Sequence, residues 1–358
     1  MKRHTLLGIV EGFYGRLYTE AKRHDLLKNA AQAGYDFYIY SPKNDPLLRM
    51  KWEQDIDEEY RDFLFRYGED CRKSHLECGI AISPVGLTSC YKEKKEVFLN
   101  KFSELIKACR AEIAAIFFDD VKLDSLTMGQ VQNNIIRDVS SLLPEYVKEL
   151  WICPTYYSFD PILEKLFGKM PENYFKELTL GIDSKVRFFW TGDKVLSKDY
   201  TQKSLENACA SLGRDIIIWD NYPVNDGKKL CEHLYVEPFQ GRRNLKVYAH
   251  AVNPMVQAYP SILPLITLPV IYKNSGVSYR VLKKAAKKKA LTLFGESRES
   301  QQLIQALFYL NKHSLSDMAS QKKQQLCFLC NKNGSPAALE FAEYLQGKFA
   351  FDSACLTS

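Results

Sequence analysis

At 358 residues, 46% of them hydrophobic and 26% charged, the chain has the composition of a globular protein and length enough to bury a large core. Its 49 basic residues are nearly offset by 43 acidic ones, leaving a net charge of +6, too mild for a dedicated nucleic-acid binder. No stretch is long and apolar enough to span a membrane, and the ten cysteines lack the compact spacing of a disulfide framework.

At its start, Met1-Lys2-Arg3-His4 ahead of Leu6-Leu7-Gly8-Ile9-Val10 has the outline of a signal peptide, but Glu11 interrupts the apolar run and no small-residue cleavage site follows. The segment reads as a first strand, and reduced thiols in a cytoplasmic protein are expected. Strand-like runs recur at Leu6–Val10, Phe37–Tyr40, Cys78–Ile82, Ala114–Phe118, Glu149–Ile152, Val186–Trp190, Asp215–Trp219 and Leu245–Ala249. Eight runs, spaced near the ~31 residues of a repeating strand–helix unit, are the number that closes a parallel barrel. Between them, Ala21–Ala33 sets Leu26, Leu27, Ala30 and Ala31 on one face and stops before Gly34, a natural C-terminal cap. Glu58–Lys73, Lys92–Arg110, Thr127–Leu142 and Thr201–Leu212 fill the same helical role. The alternation predicts right-handed crossovers and an α/β fold, a (β/α)8 TIM barrel.

Beyond about residue 273 the strands stop, and Tyr279–Phe294, Arg298–Lys312, Asp317–Asn331 and Ala337–Phe351 read as consecutive helices. The expected organisation is a catalytic barrel over residues 1–273 and a C-terminal helical region over 274–358. That region would cover the barrel or pair with a second copy as a homodimer. Lys283, Lys284, Lys287, Lys288 and Lys289 crowd one of its helices, a solvated face in preference to a site for an acidic partner. Cys327-Phe328-Leu329-Cys330 has no second pair downstream to complete a zinc site.

In such a barrel the working groups stand just after the strands. The run Ala114–Phe118 ends abruptly in Asp119-Asp120, a pair that by itself could equally be a turn or a helix cap. Other strand ends lead into Glu11–Arg16, Ser41–Asp45 with Arg49 close behind, Ser83–Gly86, Cys153–Tyr157, Trp190–Gly192, Trp219–Asp226 and His250–Pro254. This inventory is rich in carboxylates, amides and aromatics. Only His250 is a histidine at a predicted strand end, so neither a metal nor another cofactor is expected. No glycine-rich phosphate loop follows the seventh or eighth strand. Aromatic faces beside Asp and Asn suit a sugar, which points to a glycosidase or a sugar-binding barrel.

Seven blocks taken in order carry a closer likeness: Glu11–Gly15, Pro42–Asp45, Phe118–Asp120, Cys153–Tyr157, Phe189–Gly192, Trp219–Asn221 with Asn225-Asp226, and Asn253-Pro254. Together they resemble glycoside hydrolase family 84, β-N-acetylglucosaminidases that include protein O-GlcNAcase. The resemblance runs from residue 8 to about 260. It implies retaining, substrate-assisted hydrolysis of a terminal N-acetylglucosamine (GlcNAc) carried by a glycoprotein or glycan. In that chemistry the sugar's own acetamide oxygen attacks and forms an oxazoline. Asp119 would accept the acetamido N–H, while Asp120 would act as acid and then base. By the same likeness, the Gly12 backbone and Lys43 stand at the 3-hydroxyl side, and Tyr157 at the acetamido oxygen. Trp219 and Cys153 would wall the acetamide, Asn221 would support the centre, and Asp226 would grip the 4- and 6-hydroxyls, with Asn253 beside it. Asn44 and Tyr156 depart from the family pattern, as do Tyr222-Pro223-Val224 and the Pro254-Met255 step, which leaves leaving-group preference open.

Without the likeness each residue has a plainer use: Gly12 in a turn, Trp219 in the core, Asp226 as a helix cap. Two other functions compete. A non-catalytic GlcNAc-binding protein would keep the pocket, and an endo-acting, hyaluronidase-like glycosidase would need an open cleft that Asp226 closes. Both aspartates can face one pocket only if the strand ends there and the backbone turns.

Overall fold

Eight parallel strands close on themselves in a computed structural model that describes residues 4–121 and 125–351. They are β1 (Leu6–Glu11), β2 (Phe37–Tyr40), β3 (Glu77–Ile82), β4 (Ile113–Phe117), β5 (Glu149–Cys153), β6 (Val186–Trp190), β7 (Ile216–Asp220) and β8 (Ala249–Val252). Each pairs with its successor, and β8 returns to β1 with Leu6 opposite Ala249. The (β/α)8 barrel read from the sequence is the fold. Met1–Arg3, part of the signal-like start, lie outside the described residues, as do 352–358 with Cys355.

An interlocked aromatic column fills the barrel. Phe37 meets Trp151 at 4.8 Å, Trp151 meets Phe189 at 5.7 Å, and Phe117 lies 5.0 Å from Trp219. Gly8 makes room for the lower end, because a Cβ there would fall 2.1 Å from the Phe37 ring. Burying rings of this size contributes on the order of 2 kcal/mol each. The top of the column is the Trp219 indole, so the packed core ends where the functional surface begins.

The outer layer opens with α1 (Glu20–Ala33), whose Thr19 side chain accepts from the Lys22 N–H and whose end at Gly34 takes a left-handed φ of 101°. α2 (Glu58–Lys73) is capped by Asp57. α3 (Leu87–Cys109) begins five residues before its expected start, directly after Gly86. α4 (Met128–Ser140) follows β4. Two short helices, α5 (Ile162–Phe167) and α6 (Tyr174–Thr179), then share the crossover to β6, and α7 (Gln202–Leu212) leads to β7. After β8 come α8 (Ala258–Leu265) and α9 (Leu268–Lys273), where Pro260, Pro264 and Pro269 mask the helical pattern in the sequence.

The eighth strand is displaced from its expected position, Leu245–Ala249. Leu245-Lys246-Val247-Tyr248 alternates as a half-exposed strand would, and its carbonyls do reach β1, with Leu6 N–H to the Tyr248 oxygen at 3.2 Å. The ladder to both neighbours, however, begins only at Ala249. His250 hid the true strand, since an imidazole is an unusual interior residue. It is fully buried and bonded through Nε2 to Asp220 (2.9 Å) and through Nδ1 to the Tyr272 hydroxyl (2.8 Å). His250 is therefore part of the barrel wall rather than a strand-end group.

The C-terminal helices α10 (Tyr279–Phe294), α11 (Arg298–Tyr309), α12 (Ser320–Asn333) and α13 (Pro336–Leu345) lie against their own barrel. Buried Glu340 of α13 accepts the Tyr259 N–H (2.8 Å) and pairs with Lys22 of α1 (2.9 Å). Between β7 and β8 the described residues form no α-helix, and the C-terminal helices back that long loop instead. The Leu234 N–H donates to the Leu310 oxygen, and the Val236 and Glu237 N–H groups to Asn311 Oδ1. Within the lysine cluster, Lys283 pairs with Glu237 at 2.6 Å. Among the described residues no helix is long and apolar enough to cross a membrane, and the nine described cysteines are free thiols.

Candidate active site

The turn after β4 decides how the site is built. The ladder stops at Phe117, and Phe118 is held from both sides: its N–H donates to the Cys153 oxygen (2.8 Å), and its carbonyl accepts from Thr155 Oγ1 (2.8 Å). Asp120 then adopts φ 55°, in the left-handed region that Asp enters more readily than most residues. This turn brings the second carboxylate to the same side as the first. Strand alternation alone would have sent it the other way.

The two neighbours meet different partners. Asp119 takes both Lys43 Nζ contacts, at 2.6 and 2.8 Å, with Ser83 Oγ at 3.4 Å. Asp120 receives the Tyr14 hydroxyl at 2.7 Å and the Tyr157 hydroxyl at 3.1 Å. Burial and then the charge of Asp119 raise its proton affinity, partly opposed by Lys43, Tyr14 and Arg49. Burial, and next the Asp120 charge, raise the Tyr14 and Tyr157 phenols too, so both stay donors. The two adjacent carboxylates thus share one pocket but not their partners, a cation at Asp119 and two phenols at Asp120, and the proton affinity of Asp120 is raised.

All ten residues singled out from the sequence line one cavity at the C-terminal end of the barrel: Gly12, Lys43, Asp119, Asp120, Cys153, Tyr157, Trp219, Asn221, Asp226 and Asn253. Its floor is the Trp219 ring. Gly12 must be a glycine for that ring to lie as it does, because a Cβ would stand 2.6 Å from it. The Gly12 N–H donates to Asn253 Oδ1 (3.3 Å), and Asn253 Nδ2 donates to Asn221 Oδ1 (3.2 Å). Asn221 also accepts the Trp219 indole N–H (2.9 Å) and donates to the Val195 oxygen (3.0 Å), which fixes the floor to the β6 loop. Asp226 accepts the Tyr14 N–H at 2.9 Å, yet burial pushes its carboxyl up to about 6. Burial, with Asp119 adding to it, keeps the Cys153 thiol protonated, so it serves as a small apolar wall.

Among the described residues, Tyr14, Thr191, Val195, Leu196, Val224, Gly227 and Leu230 are the others in the lining. Tyr14 and Thr191 stood in strand-end blocks, and what marks Tyr14 out is its partner across the barrel, Asp120. Leu196 and Leu230 carry no local signal, since only the folded loops bring them to the mouth. Of the departures, Val224 lies in the lining, while Asn44, which accepts the Gly15 N–H (3.1 Å), and Tyr156, whose hydroxyl donates to the Gly168 oxygen (2.8 Å), stand outside it. Directly beneath the site, Asp220 is clamped by Arg242 through two bonds (2.7 and 2.8 Å) and by His250.

With this geometry in view, comparison with known proteins is specific. A family model described as beta-N-acetylglucosaminidase matches residues 7–308, beyond the expected limit near 260 and into α10 and most of α11. The protein O-GlcNAcases of Rattus norvegicus and Mus musculus are each 26% identical over 285 residues, covering 76% of this chain and 30% of theirs. The chain thus spans about 30% of the length of those relatives. A solved variant of the Thermobaculum terrenum O-GlcNAc hydrolase has the same fold, with a TM-score of 0.75 at 23% identity over 96% of this chain and 81% of that one.

Proposed function

The chain belongs to the beta-N-acetylglucosaminidase family of glycoside hydrolases, and from that premise we propose that it is a retaining, exo-acting enzyme whose substrate's own acetamide is the nucleophile. The observation that carries this reading is the pair Asp119 and Asp120, turned into one cavity with a cation on the first and two phenols on the second. Its substrate would be a terminal GlcNAc on Ser or Thr of a protein, as the relatives' names suggest, or at a glycan end.

In the first step Asp119, paired with Lys43, accepts the acetamido N–H and stabilises the positive charge that builds as the amide oxygen attacks C1. Asp120, whose raised affinity favours the protonated form, gives its proton to the glycosidic oxygen as the C1–O bond breaks. The product of that step is the oxazoline. Asp120, now a carboxylate, takes a proton from water, which attacks C1 and reopens the ring. Two inversions give net retention. Tyr157 donates to Asp120, and its assigned role is to bond the acetamide oxygen. Trp219 and Cys153 wall the acetamide, and Asn221 holds Trp219 in place. The Gly12 backbone and Lys43 serve the 3-hydroxyl, and Asp226 with Asn253 serves the 4- and 6-hydroxyl side. A carboxylate gripping the 4-hydroxyl leaves no room for a further sugar there, which favours exo action.

We assign residues 1–273 to the catalytic barrel and 274–358 to its helical support, with the cytoplasm as the working compartment of these reduced thiols. The experiment is hydrolysis of a nitrophenyl β-N-acetylglucosaminide with the product anomer followed by NMR, and of an O-GlcNAc peptide beside chitobiose. Turnover is expected to release the β-anomer first and to be blocked by an oxazoline mimic. Tight binding of the mimic without turnover would leave a sugar-binding protein instead.

A further inference from the structure

Behind the cavity wall, a chain of side chains joins the two aspartates by a second route. Lys43 Nζ bonds Asp119 and, at 3.0 Å, Ser83 Oγ. Arg49 Nη1 donates to the same Ser83 oxygen at 2.9 Å, and Arg49 Nη2 to the Tyr14 hydroxyl at 3.0 Å. Tyr14 then donates to Asp120. Arg49 and Ser83 stand outside the cavity lining, and Arg49 is 6% exposed. Backbone bonds hold the link in register: Ser83 N–H to the Leu48 oxygen at 2.8 Å and Val85 N–H to the Arg49 oxygen at 3.4 Å.

We infer that Arg49 is a positioning residue for the proposed reaction, fixing through Ser83 and Tyr14 where the hydroxyl protons beside both aspartates point. This inference rests on the reaction proposed above. A hydroxyl has one proton and two lone pairs. Lys43 and Arg49 fill both lone pairs of Ser83, so its proton has Asp119 as its acceptor, 3.4 Å away. On Tyr14, the Arg49 contact takes up acceptor capacity and commits the phenol proton to Asp120. One planar guanidinium, donating from two nitrogens, thus orders groups that serve both steps. A lysine, with its charge at a point on a flexible stem, cannot span both hydroxyls in the same way.

Arg49 also acts on Asp120 at a distance, lowering the proton affinity that burial and Asp119 raise. Among the described residues, the groups facing Asp120 are Tyr14 from the β1 loop, Lys43 and Arg49 from the β2 loop, Asp119 beside it, Cys153 at the end of β5 and Tyr157 after it, and Asp226 after β7. Loss of the Arg49 charge therefore lets Asp120 keep its proton to higher pH.

The test is the pH profile of kcat/KM on aryl N-acetylglucosaminides with good and poor leaving groups, for wild type, Arg49→Met, Arg49→Lys, Tyr14→Phe and Arg49→Met with Tyr14→Phe. Arg49→Met is expected to lose about tenfold or more on the poor leaving group, less on the good one, and to move the high-pH limb up by about one unit. Arg49→Lys should hold the limb near wild type and still lose turnover. The double variant should lose less than the product of the single losses, because Arg49 works through Tyr14. Equal losses across leaving groups with an unmoved limb, or fully multiplicative losses, would overturn the inference. Should Arg49→Met fail to fold, Arg49→Lys with and without Ser83→Ala makes the same comparison: sub-multiplicative losses support the link and multiplicative ones refute it. An active wild type with undisturbed Arg49 variants removes only this inference, whereas an inactive wild type removes the proposed reaction and this inference with it.

Discussion

Asp120, just past β4, and Asp220, at the end of β7, are both buried aspartates at the C-terminal ends of barrel strands, yet their surroundings treat them oppositely. Burial pushes each toward the neutral form. Around Asp120 the neighbouring carboxylate adds to that push, and its direct partners are phenols. Around Asp220 the Arg242 guanidinium, bound through two nitrogens, and His250 overcome burial and hold the carboxyl down to about 2. His250 in turn is lowered by burial despite Asp220, so it is neutral near pH 7. Position and burial are thus shared by a group proposed to move a proton and one that only carries load. The charge and geometry of the contacting groups separate them.

The same substitution at both sites tests that contrast, and its largest effect falls on activity. Asp120→Asn should cost about 10²- to 10⁴-fold in kcat/KM on poor leaving groups and much less on activated aryl glycosides, with thermal stability retained. Asp119→Ala should slow oxazoline formation for every leaving group, and an undiminished burst of aryl product would break its assignment. Asp220→Asn should instead act on the fold. It strands Arg242 as a buried cation, a loss of about 3–5 kcal/mol that calorimetry would read as a fall in Tm on the order of 5 °C or more.

The pH dependence carries opposite signs in the two regions. A carboxyl lowered on folding, such as Asp220, lends stability that is present above the ordinary carboxylate range and is lost as pH falls from about 4 toward about 2. A carboxyl raised on folding, such as Asp226 at about 6, lends stability that is complete below about pH 4 and is lost as pH rises past 6. Asp226→Asn should therefore raise KM while raising Tm by about 2 °C at pH 8, a gain that vanishes near pH 4. A Tm gain that persists at pH 4 would show that the carboxyl is not the cause.

Much of the plan was legible in the sequence because its signals are local. Eight apolar runs of strand length and helix stops such as Gly34 gave the barrel, and the polar blocks at strand ends, sorted by their likeness to a known family, gave the ten cavity residues. Asp119 and Asp120 were recognisable as a pair for the same reason. The left-handed turn that lets them face one way depends on Cys153 and Thr155, more than thirty residues downstream.

What the tertiary structure alone decided is which distant groups meet. Apolar periodicity reports that a residue is buried, but a buried His250 or Arg49 breaks the period and is misplaced or passed over. The partner that makes its burial tolerable, Asp220 for the one and Tyr14 and Ser83 for the other, lies about thirty residues away along the chain. Spacing along the sequence fixes where strands and caps form, because those depend on near neighbours. The protonation of each carboxylate depends on charges a few ångströms away in space, and only closing the barrel puts those charges in place.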